Sequence, residues 1–261
     1  MLRKIHPVVA GMRRLAVSAP LLCLLAALVT PCSAQTYDFN AGNDNGFTRY
    51  SPLAPFGAAG TFSFPSGGYR IQAPGSPAPG SVGPGRAGSF VNGNTYTTFT
   101  TSVDLVDWDN ALDQAFGILS RTTTIGLGTT NGYAFTYATQ GPSIDISKVT
   151  GEQASNLASA DVVLDPTHDY RLVFQGSGNT LTGTVYDLAD LTTPLATATA
   201  NDATYASGVN GIFVFDNSAT KDQPADATFD NLSGTNQVPE PATLGVLALA
   251  ALGLTARRRH R

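Results

Sequence analysis

The sequence predicts an all-β protein whose strands form a two-sheet sandwich. Apolar and polar residues alternate in short segments, as at Tyr170, Leu172 and Phe174, and a period of two is typical of half-buried strands. Dipeptides that favour hairpin turns, such as Asn92-Gly93, separate these segments. Residues 35–236 contain only two lysines and one glutamate, so the side chains that build surface helices are scarce. Around a dozen short strands separated by turns indicate two packed sheets.

Twelve predicted strands follow one another along the chain. They comprise residues 36–40, 60–64, 69–73, 95–108, 115–122, 133–139, 143–150, 169–175, 180–187, 195–200, 211–216 and 227–233. The run 212–215 is apolar on both faces, which predicts a strand in the middle of a sheet. Residues 73–85 are rich in proline and glycine and predict a surface loop. Turns are also predicted at 131–132, 176–179 and 210–211, where Gly follows or precedes Asn.

Residues 1–34 have the three parts of a secretory signal peptide. The basic start comprises Arg3, Lys4, Arg13 and Arg14. An apolar stretch over 15–29 predicts the signal helix, and residues 32–34 supply small side chains for cleavage before Gln35. Cleavage there removes Cys23 and Cys32, the only cysteines of the chain. The mature protein would then hold its fold by packing alone, without disulfides, in an oxidising compartment.

The body between the two ends, residues 35–236, is predicted to be one acidic domain. About 200 residues are enough to bury a core of their own. They carry seven basic and 18 acidic side chains, which gives a net charge of −11. Such a surface repels phosphate backbones, so the charge argues against nucleic acid as a partner.

The last residues, 237–261, combine a rigid triplet, an apolar segment and a basic end. Pro239 and Pro241 fix φ and lack backbone N–H donors, so the triplet with Glu240 is extended. Residues 242–256 carry no charge and predict a transmembrane helix. Fifteen helical residues span about 23 Å against roughly 30 Å of hydrocarbon, so the helix is short for a permanent anchor. The basic end comprises Arg257, Arg258, Arg259 and Arg261, which are expected to stay in the cytoplasm.

This tail resembles the PEP-CTERM sorting signal of Gram-negative-type bacteria. The residues that match the motif are Val238, Pro239, Glu240 and Pro241, and the apolar segment and arginines follow in the family's order. The resemblance implies that an exosortase, a membrane-embedded cysteine protease, recognises the motif and removes the tail. It also implies an inner-membrane intermediate, from which the body reaches the cell surface or the extracellular polysaccharide matrix.

The body resembles concanavalin-like, laminin-G-like jelly-roll sandwiches over two segments. Residues 168–187 read as two paired strands that meet at a Gly-Asn turn, and 229–232 (Phe-Asp-Asn-Leu) are similar to the closing strand of such domains. The resemblance implies that one sheet binds glycans, often near a calcium ion. Glycoside hydrolases of this fold carry two glutamates and an aspartate on one strand. The resemblance therefore implies that a catalytic member would have this set.

The sequence offers no such catalytic set, so the protein is predicted not to be an enzyme. Glu152 is the only glutamate of the body and has no acidic neighbour two residues away. Asp107 and Asp109 share one face of a predicted strand and could act as acid and base, although a strand end that runs into a loop is the simpler explanation. His168, the only histidine of the body, lacks partners for a triad or a zinc site.

Two kinds of binding site have candidates. Calcium is the one cofactor for which oxygen ligands are at hand, at Asp107, Asp109 and Asp216; the alternative is that these segments simply form turns. A sugar needs aromatic rings to pack against. The candidate glycan contacts are Trp108, Tyr133, Tyr137 and Tyr186, and the alternative is that they fill the core.

These observations predict an exported, exosortase-processed protein of the cell surface or extracellular matrix. Its body is predicted to be a non-catalytic glycan-binding or structural module, with extracellular polysaccharide as the partner. Two alternatives stay open: a glycoside hydrolase on a jelly-roll fold, and an ice- or surface-adhesion protein. Threonine-rich runs at 95–101 and 197–199 are the feature behind the last alternative, although strand propensity also explains them.

Overall fold

Fifteen strands form two antiparallel sheets in residues 34–236, the part of the chain that this computed structural model describes. Side chains from both sheets meet in one buried hydrophobic cluster. The arrangement confirms the predicted all-β, two-sheet sandwich. The predicted signal helix, the Pro-Glu-Pro motif, the transmembrane helix and the arginine cluster lie outside the described residues.

The first sheet has eight strands. In spatial order it contains β13 (Ala196–Asn201), β12 (Thr180–Asp187), β11 (Tyr170–Ser177), β6 (Phe99–Trp108), β15 (Ala225–Asn236), β4 (Tyr69–Ala73) and β3 (Thr61–Ser63), and β1 (Ala34–Tyr37) pairs with β15 as well. The first half of β15 pairs with β4 and its second half with β1. The closing strand of the sandwich therefore lies beside its first strand.

The second sheet has seven strands. In spatial order it contains β10 (Gln153–Asp161), β9 (Ser143–Thr150), β8 (Gly132–Ala138), β7 (Gln114–Thr122), β14 (Val209–Asp216), β5 (Arg86–Val91) and β2 (Phe47–Tyr50). As predicted, the doubly apolar run 212–215 is part of a central strand, β14, which lies between β7 and β5.

The core is filled by one face of each sheet and is shaped by glycines. Phe135 of the second sheet stacks on Phe174 of the first, with ring centroids 5.6 Å apart, and Phe99 meets the same ring at 5.2 Å. Gly183 lies under Phe135, where an added Cβ would come within 2.3 Å of the ring. The aromatic layer therefore needs a residue without a side chain at this point of β12.

Three strands were not predicted, and each has a physical reason. β2 has four residues and β5 follows the proline-rich loop with small side chains, so neither shows a long alternation. β10 is an edge strand whose residues are mostly exposed, and it lacks the apolar period. The predicted loop at 73–85 is confirmed, with a one-turn helix α1 (Pro79–Val82) inside it.

Three predicted features are placed differently by the structure. The turn predicted at 131–132 lies earlier, at 127–129, because Gly132 is already the first residue of β8. The strand predicted at 95–108 begins at Phe99, because Tyr96 instead forms an isolated bridge with Gly208. Asn210-Gly211 was predicted to form a turn but lies inside β14. Gly211 pairs with Phe90, and an added Cβ would lie 2.7 Å from that ring, so the glycine serves close packing. Within residues 34–236, no helix is long and apolar enough to cross a membrane.

Candidate functional site

The outer face of the seven-stranded sheet carries two rows of paired residues that we call the outer strip. Side chains paired across antiparallel strands point to the same side of a sheet, and neighbours along the central strands, such as Ile212, Val214 and Phe116, belong to the core. One row consists of Tyr50, Gly88, Phe213, Gly117, Thr136, Asp145 and Ser159. The row beside it consists of Arg86, Phe215, Ala115, Ala138 and Ser143.

Phe213 and Phe215 form an aromatic pair in the outer strip. Their rings are parallel within 5°, their centroids are 5.7 Å apart, and both side chains are half-buried. Gly88 and Gly117 lie on either side of Phe213. Phe213 also packs against a small buried cluster of Phe90, Leu119 and Ala134 on the same side of the sheet. Arg86 and Ala115 flank Phe215, so part of each ring stays open to solvent.

The far end of the outer strip is polar. Asp145 on β9 accepts hydrogen bonds from the hydroxyls of Ser143, at 2.9 Å, and Ser159, and from the amide of Asn156 at 3.1 Å. Thr136 lies between this group and Phe213 in the same row. The strip therefore passes from aromatic rings to hydrogen-bonding side chains, the combination that lines sugar-binding surfaces.

A buried ion pair closes the other end of the strip, and we call it the Glu152 cluster. Arg86 donates to Glu152 from Nε at 3.1 Å and from Nη2 at 2.7 Å, and the two side chains are 12% and 9% exposed. The Tyr50 hydroxyl and the Gly128 N–H donate to the same carboxylate. Burial, and then the hydrogen bond to Glu152, raise the pKa of the Tyr50 phenol. All four donors hold Glu152 in place, so the only glutamate of the described residues is committed to structure.

Three of the four predicted glycan contacts lie in the core. Trp108 is 5% exposed, Tyr133 0% and Tyr137 1%, because their rings pack between the sheets. This burial leaves no ring face for a sugar and argues against contact at these three residues. Tyr186 is half-buried on the outer face of the eight-stranded sheet, where glycan contact stays a prediction.

The predicted calcium ligands do not form a cluster. No group of three or more His, Cys, Asp or Glu side chains that could hold a metal is found in residues 34–236. Asp216 is buried, and its two oxygens accept the N–H groups of Ser218 and Gln223, each at 2.8 Å. Asp107 is exposed at the end of β6, and Asp109 caps the following turn through the Ala111 N–H.

His168 is exposed and forms a pair with Asp187. Its Nδ1 lies 3.0 Å from a carboxylate oxygen of Asp187. The hydrogen bond that the imidazole donates to this carboxylate raises the pKa of His168 above its usual value, and the same contact lowers the pKa of Asp187. The pair joins the segment before β11 to the end of β12.

The end of the chain and the sandwich each match known proteins. Residues 237–259 match the model of the PEP-CTERM protein-sorting motif. No curated protein matches the chain in sequence. The sandwich resembles the carbohydrate-binding module CBM66 from Bacillus subtilis at 18% identity and a TM-score of 0.54, over 74% of this chain and 97% of that one.

Two further solved structures share the fold. Lectin UEA-II, solved with galactose, matches at 12% identity and a TM-score of 0.52, over 79% of this chain and 99% of that one. A β-1,3-1,4-glucanase (lichenase) derived from a mouse hindgut metagenome matches at 11% identity and a TM-score of 0.54, over 79% and 100%. At these identities the likeness concerns the fold alone.

The fold places the body among lectin-like, concanavalin-like β-sandwiches. This particular chain is a sandwich of that class with a PEP-CTERM sorting motif at its C-terminus. The motif indicates an exported protein that is anchored in the membrane before it is processed.

The sequence missed Phe213 and Phe215 as site residues. It did carry a signal for them, because a strand that is apolar on both faces must turn some large side chains outward. The Glu152 cluster had no local signal, since Arg86 and Glu152 are separated by 66 positions.

Proposed function

We propose that this chain is an exported, exosortase-processed protein of the cell surface or extracellular matrix of a Gram-negative-type bacterium, and that its body binds glycans without catalysis. In this proposal residues 1–34 are the signal peptide, 35–236 the working module and 237–261 the sorting signal. Extracellular polysaccharide is the proposed partner of the mature module.

The observation that carries the glycan-binding proposal is the outer strip with its parallel Phe213 and Phe215 rings. Apolar ring faces suit the C–H faces of a pyranose, and hydrogen-bonding side chains at Asp145 and Ser159 suit its hydroxyls. The same fold carries carbohydrate in a lectin solved with galactose and is that of a carbohydrate-binding module. Both likenesses support the proposal at the level of the fold.

The proposal that the body is not catalytic is based on the hydrogen bonds that its acidic side chains make. A retaining hydrolase needs two carboxyl groups roughly 5 Å apart, one of them free to give up a proton. Glu152 is fully engaged by Arg86, Tyr50 and Gly128. Asp109 accepts the Ala111 N–H in a turn, so its carboxylate is engaged there rather than paired with Asp107 as an acid and a base.

A glycan array probed with the full chain tests this proposal. The chain would be purified in a detergent without a sugar headgroup, and Phe213→Ala and Phe215→Ala would be compared with Phe56→Ala. Phe56 is 47% exposed in a separate turn and serves as the matched control. We expect the two strip variants to lose roughly tenfold or more in affinity and the control to bind normally. Equal binding by all three variants would rule out the outer strip as the site.

A hydrolase remains an alternative because the lichenase shares the fold. Release of reducing sugar from a β-glucan, lost on Asp107→Asn, would establish it.

A surface-adhesion function is the third candidate, and one observation favours it. The outer face of the eight-stranded sheet carries a row of hydroxyl and amide side chains at Thr235, Thr100, Gln175, Thr182 and Thr199. A row of hydroxyls at the regular spacing of paired strands suits a crystalline surface. Faceted ice crystals in the presence of the protein, and their loss on Thr182→Val, would support this function over glycan binding.

A further inference from the structure

A pocket of about 210 Å³ lies where four segments meet at one end of the sandwich. The loop before β6, the end of β7, the β11–β12 turn and the segment between β13 and β14 line it, through residues that include Thr97, Thr98, Arg121, Asn179 and Tyr205. The volume is below the roughly 300–1,000 Å³ of sites for drug-sized molecules. The pocket therefore suits a small group, and it is separate from the outer strip.

Arg121 forms one wall of this pocket and is only 2% exposed. Its Nε and Nη2 donate to the carbonyl of Thr97 at 2.9 and 2.6 Å, and Nη1 donates to the carbonyl of Tyr205 at 3.2 Å. Its guanidinium also lies 5.5 Å from the centre of the Phe99 ring. A guanidinium has five N–H donors, so two of them lack a partner in residues 34–236.

The charge of Arg121 is not matched by a carboxylate within the described sandwich. The other four arginines of this part, Arg49, Arg70, Arg86 and Arg171, each form an ion pair with an acidic side chain. A buried charge is costly unless an opposite charge accompanies it. Burial accordingly lowers the pKa of the Arg121 guanidinium. The pocket thus offers a dehydrated positive charge without its counter-charge.

The segment between β13 and β14, which lines the pocket beside Arg121, is held rigidly by hydrogen bonds. Asp202 accepts a hydrogen bond from the Tyr133 hydroxyl at 2.6 Å, and its own N–H donates to the carbonyl of Asn179 at 2.9 Å. The Tyr205 N–H donates to the same Tyr133 hydroxyl at 3.1 Å, and its ring hydroxyl lies 2.7 Å from Thr150 Oγ1. These bonds fix the segment in place before any ligand arrives, which lowers the entropic cost of binding.

We propose that this pocket binds the carboxylate of a uronic acid residue, with Arg121 as its counter-charge. A planar carboxylate matches the fork of guanidinium donors better than a rounded anion does. The hydroxyl of Thr98 and the amide of Asn179, which also line the pocket, are the partners for the sugar hydroxyls. The inference rests on the proposed glycan binding for the class of molecule that carries the carboxylate.

NMR titration of the full chain, in a neutral detergent without a sugar headgroup, tests this directly. The signals to follow are the Arg121 Nε–H and the Tyr205 amide, and the probes are methyl glucuronide, methyl glucoside and sodium sulfate. We expect saturable shifts with the glucuronide and at least about tenfold weaker responses with the other two, because bonds to a charged, planar partner are lost. Equal shifts with the glucoside or with sulfate, or none with the glucuronide, would overturn the proposal.

A matched pair of variants at the pocket rim avoids the risk that Arg121 variants fail to fold. Ala206 lines the pocket and is exposed, so a longer side chain fits there without touching the core. Ala206→Glu places a negative charge beside the site, and Ala206→Gln has the same shape without the charge. We expect the glutamate variant to bind the glucuronide about tenfold more weakly than the glutamine variant. Equal affinities would show that charge does not govern the site.

The two proposals fail in distinguishable ways. If glycans bind only at the outer strip, Phe213→Ala abolishes array binding and the Arg121 signals never move. If the body binds no polysaccharide but the pocket is correctly assigned, the array stays blank and the glucuronide still shifts Arg121 Nε–H.

Discussion

At the level of single residues, Glu152 shows how a side chain far from the core stabilises the fold. Its carboxylate joins the β9–β10 turn to β5 and β2, across the sheet. Glu152→Gln leaves the buried Arg86 guanidinium without a counter-charge. We expect the free energy of unfolding to fall by about 2–4 kcal/mol, measured by urea unfolding of the full chain with the Trp108 fluorescence as the probe.

A double-mutant cycle separates this ion pair from local strain, because Glu152 also has a left-handed φ of 64°. Arg86→Met alone, Glu152→Gln alone and the double variant would be compared. If the pair is the cause, the double variant loses clearly less than the sum of the single losses. Losses that simply add would contradict the assignment.

The His168–Asp187 pair predicts a pH-dependent contribution with a defined sign. The pKa of His168 is raised by its contact with Asp187, so its stabilising effect is complete below the unfolded pKa of about 6.5 and is lost as pH rises through the folded value. Asp187, whose pKa is lowered, loses its contribution as pH falls through its folded value. The pair therefore stabilises between these two pKa values.

NMR titration of the imidazole of His168 measures the shift. We expect a pKa above 6.5 in the wild type and a return towards that value in Asp187→Asn. His168→Gln identifies the signal among those of the other two histidines. An unchanged pKa in Asp187→Asn would show that the contact does not persist in solution.

The sequence identified aromatic residues as candidate glycan contacts, but it could not show whether each ring faces the core or the outer side of its sheet. Tyr133, Phe135 and Tyr137 alternate with Ala134, Thr136 and Ala138, and the larger set faces the core because only bulky rings fill the space between two sheets. The twofold period was visible in the sequence. At 212–215 both sets are apolar, so period alone cannot show which rings are buried.

At the level of strands, Gly183 tests how tightly β12 approaches the opposite sheet. The Phe135 ring above it is fully buried and stacked on Phe174, so the ring has no space into which it can move when a Cβ is added at 2.3 Å. We expect Gly183→Ala to destabilise the protein by about 1–3 kcal/mol, seen as a lower urea midpoint.

Gly80→Ala is the matched control for this change. Gly80 lies in α1, where an added Cβ meets nothing within 4 Å, and alanine favours a helix over glycine. The control should be neutral or slightly stabilising. A midpoint for Gly183→Ala equal to that of the control would mean that the sheets part more easily than the packing indicates.

The predicted strands were those in which burial on one face imposes an alternating pattern. β11 and β12 are such strands, and the Gly178-Asn179 turn that joins them was predicted correctly. β10 was missed because an exposed edge strand is under no such constraint. The order of the strands in each sheet could not be derived from the sequence. β14 lies between β7 and β5, although its partner β5 comes more than a hundred residues earlier in the chain.

At the level of the whole molecule, the two ends of the body lie side by side. β1 begins at Ala34, which pairs with Thr235 near the end of β15. Asn236 is bonded back to the sandwich, where its amide donates to the Thr95 carbonyl at 3.1 Å and its side-chain oxygen accepts from the Thr97 N–H at 3.3 Å. Strand β15 therefore extends to within three positions of Pro239.

This proximity leads to a prediction about export. Residues up to Asn236 are paired in β15. If an exosortase recognises the Pro-Glu-Pro triplet, recognition must therefore depend on the prolines and the charge of the triplet itself. In a host with the sorting enzyme, we expect Pro239→Ala with Glu240→Ala to leave full-length protein in the membrane fraction, while wild type and Thr243→Ala are shortened and released. Immunoblots of membrane and medium measure this. Equal release of the double variant, or unchanged release after deletion of the exosortase gene, would show that the motif does not direct processing and that the body reaches the surface by another route.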